Sequence, residues 1–218
     1  MAIKAVCFDV GETLVDETRL WDGWANYLGV STRVFYAALE EIIERNQHHR
    51  AVFERFKPGF DLDAARRDRA ARGDHDILNI SDLYADALPC LKLLRERGFK
   101  LGIAGNQPLA AEQLLRQCGF DADFIASSAG WGCEKPSQAF FERLIETVGT
   151  PACETAYVGD RLDNDVLPAA AAGLIAVFIE RGPWARVHAR RAEIARAAIV
   201  VPTLAELPDA LANPALGS

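Results

Sequence analysis

The sequence predicts an α/β protein with a parallel sheet and an all-helical unit inserted after the first strand. Short apolar or β-branched runs alternate with segments of helical periodicity over most of the chain, which is typical of parallel strands joined by helical crossovers. From about residue 18 to residue 86, helical patterns instead follow one another with no strand candidate between them. We therefore predict a core domain made of residues 1–17 and 87–218 and a helical cap domain made of residues 18–86.

Six runs are strand candidates, and we expect about five parallel strands in the core. The candidates are Ile3–Phe8, Phe99–Ala104, Asp123–Ala126, Thr155–Val158, Leu174–Ile179 and Ala198–Val201. In the inserted unit, the clearest helix begins near Ser31 or Thr32. Its apolar residues recur at helical spacing and are Val34, Phe35, Ala38, Leu39, Ile42 and Ile43.

An arginine-rich stretch follows in the inserted unit, between residues 63 and 73. Its arginines, separated by alanines and aspartates, are Arg66, Arg67, Arg69 and Arg72. This pattern favours a solvated helix face. The alternative is that one or two of these arginines hold an anionic group of a substrate.

Composition and charge exclude several classes of partner. The 218 residues carry a formal net charge of -7 and a pI near 5.2, so we expect neither nucleic acid nor an anionic membrane as a partner. No run approaches the roughly 18 apolar residues of a membrane span. The five cysteines are odd in number and form no C-x-x-C pair, which argues against a disulfide framework or a zinc site. We expect a cytoplasmic protein, and both a monomer and a homodimer remain open.

Three carboxylates follow two of the strand candidates. The first candidate runs into F-D-V-G-E-T-L, which puts Asp9 at its end; a later one runs into G-D-R-L-D-N-D, which puts Asp160 at its end and Asp165 a helical turn beyond. Functional sites of open α/β sheets lie at the carboxyl edge of the strands, so these side chains should meet there. Crowded carboxylates repel one another unless a cation lies among them, and Mg²⁺ prefers such oxygen ligands.

Lys135 brings a positive charge to the same edge, from the loop G-C-E-K-P. Three carboxylates, one lysine and one divalent ion sum to zero charge. A neutral pocket of this kind can accept an anion through directed hydrogen-bond donors.

The order and spacing of these elements resemble the haloacid dehalogenase (HAD) superfamily. Asp9-Val10-Gly11-Glu12-Thr13 resembles the first motif of that family, D-x-D-x-T. Lys135-Pro136 resembles its lysine motif, and the segment from Gly159 to Asp165 resembles its G-D-x-x-x-x-D motif. Each motif is weak alone, but their order, with a helical insert after the first, is specific. The resemblance implies a three-layer, Rossmann-like α/β core with a helical cap.

The resemblance also implies a reaction and the residues that perform it. Asp9 would be the nucleophile that forms an aspartyl-phosphate, and Lys135 would anchor Asp9 and the phosphate. The cofactor would be Mg²⁺, and the activity would be hydrolysis of a small phosphate ester. The metal ligands would be Asp9, the Gly11 carbonyl, Asp160 and Asp165.

Two positions depart from the pattern of the family. Gly11 stands where family phosphatases carry a second aspartate, the general acid that protonates the leaving oxygen. Gly105 stands where the family usually has a serine or threonine that binds the phosphate. On the substrate side we predict Thr13, Gly105 and Asn106, of which Asn106 can donate in place of the missing hydroxyl.

Other functions remain open at this point. Carbon–halogen cleavage also uses an aspartate nucleophile and lacks the acid two residues later, but metal-free dehalogenases do not keep the Asp160 and Asp165 pair. Carbon–phosphorus cleavage needs a cap lysine, and the cap offers only Lys57. A third possibility is a binding or regulatory protein that lost the chemistry at Gly11 and Gly105.

Overall fold

Six parallel strands form one sheet in the computed structural model of the protein, which describes residues 2–75 and 78–212. The strands are β1 (Ala5–Phe8), β2 (Lys100–Gly105), β3 (Phe124–Ser127), β4 (Thr155–Gly159), β5 (Ile175–Ile179) and β6 (Ile199–Val201). Their order is β3-β2-β1-β4-β5-β6. All six strand candidates are confirmed to within two residues. The expected number of five is wrong, because the short β6 pairs with β5 at the edge of the sheet.

Eleven α-helices are described besides the strands. They are α1 (Thr18–Leu28), α2 (Thr32–Glu44), α3 (Ala51–Phe56), α4 (Leu62–Ala71), α5 (Ala87–Glu96), α6 (Leu109–Gln117), α7 (Ser128–Trp131), α8 (Gln138–Val148), α9 (Leu167–Ala171), α10 (Gly182–His188) and α11 (Leu207–Ala212). A π-helical turn, Leu162–Val166, precedes α9. Across residues 2–75 and 78–212, we find no helix with the length and apolar character that crossing a membrane requires.

The strands are buried on both faces, as a parallel sheet requires. On one face, Cys7 and Tyr157 belong to a cluster that also contains Phe140 and Phe141 of α8. Side chains alternate along a strand, so Phe8 points to the other face, and it too is fully buried. Because both faces of the sheet are buried, the strands are apolar at nearly every position.

The chain divides into two compact units, a core unit up to Asp16 and from Asn79 onwards, and a helical unit, Glu17–Leu78. The helical unit contains α1 to α4. Its second boundary lies eight residues before the predicted one, because the returning chain already pairs with the core. The Asp16 amide donates to the Asp82 carbonyl at 2.7 Å, and the Tyr84 amide donates to the Leu14 carbonyl at 3.0 Å.

Helix α2 begins where the sequence predicts, with Ser31 as its N-cap. The Ser31 hydroxyl accepts a hydrogen bond from the Val34 amide at 3.4 Å. Most of the predicted apolar stripe is buried, including Phe35 and Leu39. Val34 is an exception, since its side chain is 51% exposed.

The arginine-rich helix α4 is not simply a solvated face. Arg66, Arg67 and Arg72 are exposed, but Arg69 is buried, so the prediction of a solvated face is wrong for Arg69. Its guanidinium lies 4.0 Å from the centre of the Trp24 ring and pairs with both carboxylate oxygens of Asp74, at 2.8 and 3.0 Å. An arginine can be buried in this way because its charge is paired and its planar group stacks on an aromatic face.

Replacing Arg69 should therefore destabilise the helical unit. We expect Arg69→Met to cost roughly 1–3 kcal/mol of unfolding free energy, because it removes the cation–π contact and charged hydrogen bonds. Arg67→Met on the exposed face is the matched control and should be nearly neutral. Denaturant unfolding of both variants tests this, and equal stabilities would contradict the packing role of Arg69.

Candidate active site

The strand register brings Asp9 and Asp160 to the same edge of the sheet. Phe8, the last residue of β1, lies opposite Ile103 of β2 and Val158 of β4. The Asp9 amide continues this pairing and donates to the Val158 carbonyl at 2.9 Å. The residues that follow these strands therefore lie side by side at the carboxyl edge.

Four of the predicted residues form one buried cluster at this edge. Carboxylate oxygens of Asp9, Asp160 and Asp165 lie within 4.8 Å of one another, and none of the three residues is more than 7% exposed. The Lys135 ammonium lies 2.6 Å from Asp9 Oδ1 and 2.6 Å from Asp165 Oδ1. Lys135 thus bridges two of the three carboxylates.

Burial and mutual repulsion shift the proton equilibria of this cluster. Burial raises the pKa of Asp160 well above its usual range, and the charges of Asp165 and Asp9 raise it further. Burial also raises the pKa of Asp165, to about 6, although Lys135 opposes the shift. Burial alone would lower the pKa of Lys135, but its attraction to Asp165 and Asp9 outweighs this and raises it. If all three carboxyls were ionised, the cluster would carry more negative charge than one ammonium offsets, and this excess favours uptake of a proton or of a cation.

The donor set fits a divalent cation. Within the described part of the chain, Asp160 Oδ2 is buried and has no hydrogen-bond partner. A buried carboxylate oxygen without a partner is costly unless a proton or a cation satisfies it. Three converging carboxylates provide the hard oxygen ligands that Mg²⁺ prefers.

Two glycines make room for the carboxylates. A Cβ atom at Gly159 would lie 2.4 Å from Asp165 Cγ, and a Cβ atom at Gly105 would lie 2.4 Å from Asp9 Oδ1. A side chain at either position would therefore require the neighbouring carboxylate to shift from the position it has here.

Asn106 joins the end of β2 to the lysine loop. Its side-chain amide nitrogen donates to the Lys135 carbonyl at 2.8 Å, and its side-chain oxygen accepts from the Lys135 amide at 2.8 Å. The two bonds fix the backbone of Lys135, so Asn106 orients the ammonium toward the carboxylates. The amide nitrogen carries two hydrogens, and this clamp uses one of them.

The turn after β1 holds the other predicted residues, and we call residues 9–15 the Asp9 turn. The amides of Leu14 and Val15 both donate to the Val10 carbonyl at 2.9 Å, which closes the turn. Gly11 is partly exposed within it. The Thr13 hydroxyl is buried and, among the described residues, has no hydrogen-bond partner.

Sequence reasoning missed several residues beside the cluster. Arg161 lies between two carboxylates in sequence, and its amide donates to Asp165 Oδ2 at 3.0 Å. Its guanidinium pairs with Asp163 at 2.6 and 3.1 Å and lies 5.0 Å from the centre of the Trp184 ring. The charge pattern R-L-D indicated the Arg161–Asp163 pair, but no local pattern indicated Trp184.

A parallel sheet with an acid and lysine cluster at its carboxyl edge defines a class of α/β enzymes. The sequence model of the haloacid dehalogenase-like hydrolases matches residues 3–173. The chain therefore belongs to this family and is a hydrolase of it.

Relatives of known name are phosphatases. A glyceraldehyde 3-phosphate phosphatase from Methanopyrus kandleri is 32% identical over 207 residues, which cover 86% of this chain and 88% of that protein. A protein of the same name from Methanocaldococcus jannaschii is 35% identical over 105 residues, which are 46% of each chain.

Solved structures show that the fold is shared more widely than any one reaction. The HAD-hydrolase YfnB from Bacillus subtilis, in a magnesium-bound form, has a TM-score of 0.68 at 19% identity over 97% of this chain and 99% of that chain. L-2-haloacid dehalogenase from Xanthobacter autotrophicus has a TM-score of 0.63 at 20% identity over 97% of this chain and 99% of that chain. Because a dehalogenase shares the fold, the reaction must be argued from the site.

The charge excess predicts how Asp160 affects stability. A carboxyl group whose pKa is raised on folding favours the fold below its ordinary pKa and disfavours it as pH rises through the folded value. We therefore expect Asp160→Asn to be at least as stable as the parent at pH 8 without divalent ions.

With Mg²⁺ present, the parent should instead be more stable than Asp160→Asn. At about 100 times its dissociation constant, a bound ion adds about 2.7 kcal/mol to the parent, and Asp160→Asn should lose most of this gain. Asp163→Asn, whose carboxyl pairs with Arg161 outside the cluster, is the matched control and should keep it. Thermal unfolding with and without Mg²⁺ tests this, and an equal Mg²⁺ response in Asp160→Asn would contradict the metal assignment.

Proposed function

We propose that the protein hydrolyses small phosphate esters with Mg²⁺, through an aspartyl-phosphate on Asp9. The observation that carries this proposal is the bridge from Lys135 to the Asp9 carboxylate at 2.6 Å, inside a cluster of three buried carboxylates. A nucleophile held in this way is oriented before the substrate binds.

The proposed reaction has two steps. In the first, an oxygen of Asp9 attacks phosphorus, the phosphorus–oxygen bond of the ester breaks, and the leaving oxygen takes up a proton. In the second, water attacks the aspartyl-phosphate and releases inorganic phosphate and the Asp9 carboxylate. A divalent ion held by Asp9, the Gly11 carbonyl, Asp160 and Asp165 would supply positive charge to the phosphoryl oxygens.

Three further residues are proposed to bind the phosphoryl group. Lys135 would contribute its ammonium, in the orientation that the Asn106 clamp maintains. The Thr13 hydroxyl is buried and without a partner in the described chain, so a phosphoryl oxygen would satisfy it. Asn106 would donate through its second amide hydrogen. Gly105 would contribute the space above Asp9 rather than a donor.

The names of the relatives suggest where to begin with substrates. Because the Methanopyrus kandleri relative is named a glyceraldehyde 3-phosphate phosphatase, we propose three-carbon phosphates as the first candidates. That the helical unit acts as a cap that selects the substrate is part of the same proposal.

A panel of phosphate esters and haloacids tests the function. We expect release of phosphate that requires Mg²⁺ and falls by about a thousandfold or more in Asp9→Asn, because the nucleophile is lost. Circular dichroism should show that the variant remains folded. Release of halide without Mg²⁺ would instead identify a dehalogenase, and ligand binding without turnover would identify a binding protein.

Because Gly11 has no acidic side chain, we expect the enzyme to hydrolyse esters with poor leaving groups slowly. Loss of a general acid typically forfeits about two to four powers of ten in rate, so leaving groups that depart unaided should be strongly favoured. Aryl and acyl phosphates should turn over far faster than alkyl phosphates. Glu12 does not replace the acid in this account, because its carboxylate accepts a hydrogen bond from Tyr84 at 2.6 Å.

Gly11→Asp should restore the missing acid. The left-handed backbone conformation in this turn belongs to Glu12, with a φ of 50°. Gly11 is not among the glycines with a positive φ, so an aspartate at position 11 would not have to adopt that conformation. We expect turnover of alkyl phosphates to rise at least about tenfold, with a smaller gain for aryl phosphates. The alkyl-to-aryl rate ratio is the readout. A parent that already hydrolyses alkyl phosphates efficiently, with no gain in a folded variant, would contradict this account.

A further inference from the structure

Glu12 is a buried carboxylate inside the Asp9 turn, and the proposed mechanism does not use it. It is 3% exposed and adopts a φ of 50°, which residues other than glycine rarely adopt. Surrounding contacts must hold a residue in such a conformation.

Tyr84 makes one of these contacts. Its hydroxyl donates to Glu12 Oε2 at 2.6 Å, and its amide donates to the Leu14 carbonyl at 3.0 Å. Burial raises the pKa of Tyr84 above its ordinary value, and the charge of Glu12 adds to the shift. The phenol therefore stays protonated and remains a donor over the working range of pH.

Gly182 closes the other side of Glu12. A Cβ atom at Gly182 would lie 2.6 Å from both Cγ and Cδ of Glu12, so the side chain lies directly against the backbone of α10. Gly182 itself has a φ of 70°. The glycine thus permits a close approach that no other residue would allow.

Arg181, which precedes Gly182 in the chain, contacts both Tyr84 and the turn. Its guanidinium lies 4.2 Å from the centre of the Tyr84 ring and donates to the Thr13 carbonyl at 3.2 Å. It also pairs with Asp86, whose carboxylate accepts from the Leu204 amide at 3.0 Å. The ring of Tyr84 is therefore held in place, and its hydroxyl points to Glu12.

We propose that Tyr84 is a positioning residue for the reaction, because through Glu12 it fixes the turn that carries Asp9 and the Gly11 carbonyl. The inference rests on the proposed function for its effect on turnover. The role of Tyr84 in fixing the turn does not depend on that function. Tyr84 lies where the chain leaves the helical unit, and the neighbouring Leu83 forms an antiparallel bridge with Val15. Leu83 and Tyr84 are thus joined to the Asp9 turn by backbone and side-chain hydrogen bonds.

Tyr84→Phe tests the proposal because it removes the hydroxyl and keeps the ring on Arg181. We expect kcat for an aryl phosphate to fall about tenfold or more while KM changes less than about twofold, since small displacements of a nucleophile reduce the rate of the chemical step. The Mg²⁺ midpoint, measured by thermal shift, should rise severalfold because the Gly11 carbonyl moves with the turn.

Two further variants separate positioning from other roles. Glu12→Gln keeps an oxygen that accepts from Tyr84, so it should retain most of the parental kcat. Thr155→Val is the matched control for loss of a hydroxyl hydrogen bond, since Thr155 donates to the Pro151 carbonyl at 3.0 Å, where β4 begins. It should lower stability and leave kcat unchanged.

The outcomes distinguish this proposal from the function on which it rests. An unchanged kcat and an unchanged Mg²⁺ midpoint in folded Tyr84→Phe would overturn the positioning role. A selective loss of alkyl phosphate turnover in Glu12→Gln would overturn it as well, because Glu12 would then be the acid. If the parent hydrolyses no ester, the proposed function fails and the Mg²⁺ midpoint alone decides: a raised midpoint supports positioning, and an unchanged one overturns it.

Discussion

The buried contact between Lys135 and the carboxylates of Asp9 and Asp165 is the interaction on which the rest of the site depends. A lysine at this depth keeps its proton because two anions lie 2.6 Å away. The anions tolerate each other because the lysine lies between them. Gly105 and Gly159 serve this contact by leaving space for the carboxylates, and Asn106 serves it by holding the lysine backbone.

Lys135 bridges only two of the three carboxylates, and Asp160 Oδ2 has no hydrogen-bond donor in the described chain. The repulsion among the carboxylates lowers the stability of the fold without an ion and would favour the binding of a divalent ion. Stability and function are therefore linked, because the ion would restore the free energy that the cluster costs. In the proposed reaction, Gly11 would determine which esters suit the site, because it offers no side chain to protonate a departing oxygen.

Much of this arrangement was predictable from the sequence, for a physical reason. Strand ends in a parallel sheet meet at one edge, so the positions of Asp9 and Asp160 after two strand candidates suffice to bring them together. The contacts of Arg69 with Trp24 and of Tyr84 with Glu12 were not predictable, because each joins side chains that are far apart in the chain and show no local pattern. The return boundary was missed for the same reason, since the pairing of Asp82 with Asp16 is invisible to periodicity.

The most direct test of the central claim is to acid-quench the protein during turnover of an aryl phosphate with Mg²⁺ and to locate the phosphoryl group by peptide mass spectrometry. The account predicts a phosphoryl group on Asp9, since this carboxylate contacts Lys135 and belongs to the cluster that is proposed to hold the ion. A phosphoryl group on another residue, or hydrolysis with no phosphoprotein at any time within a single turnover, would contradict it.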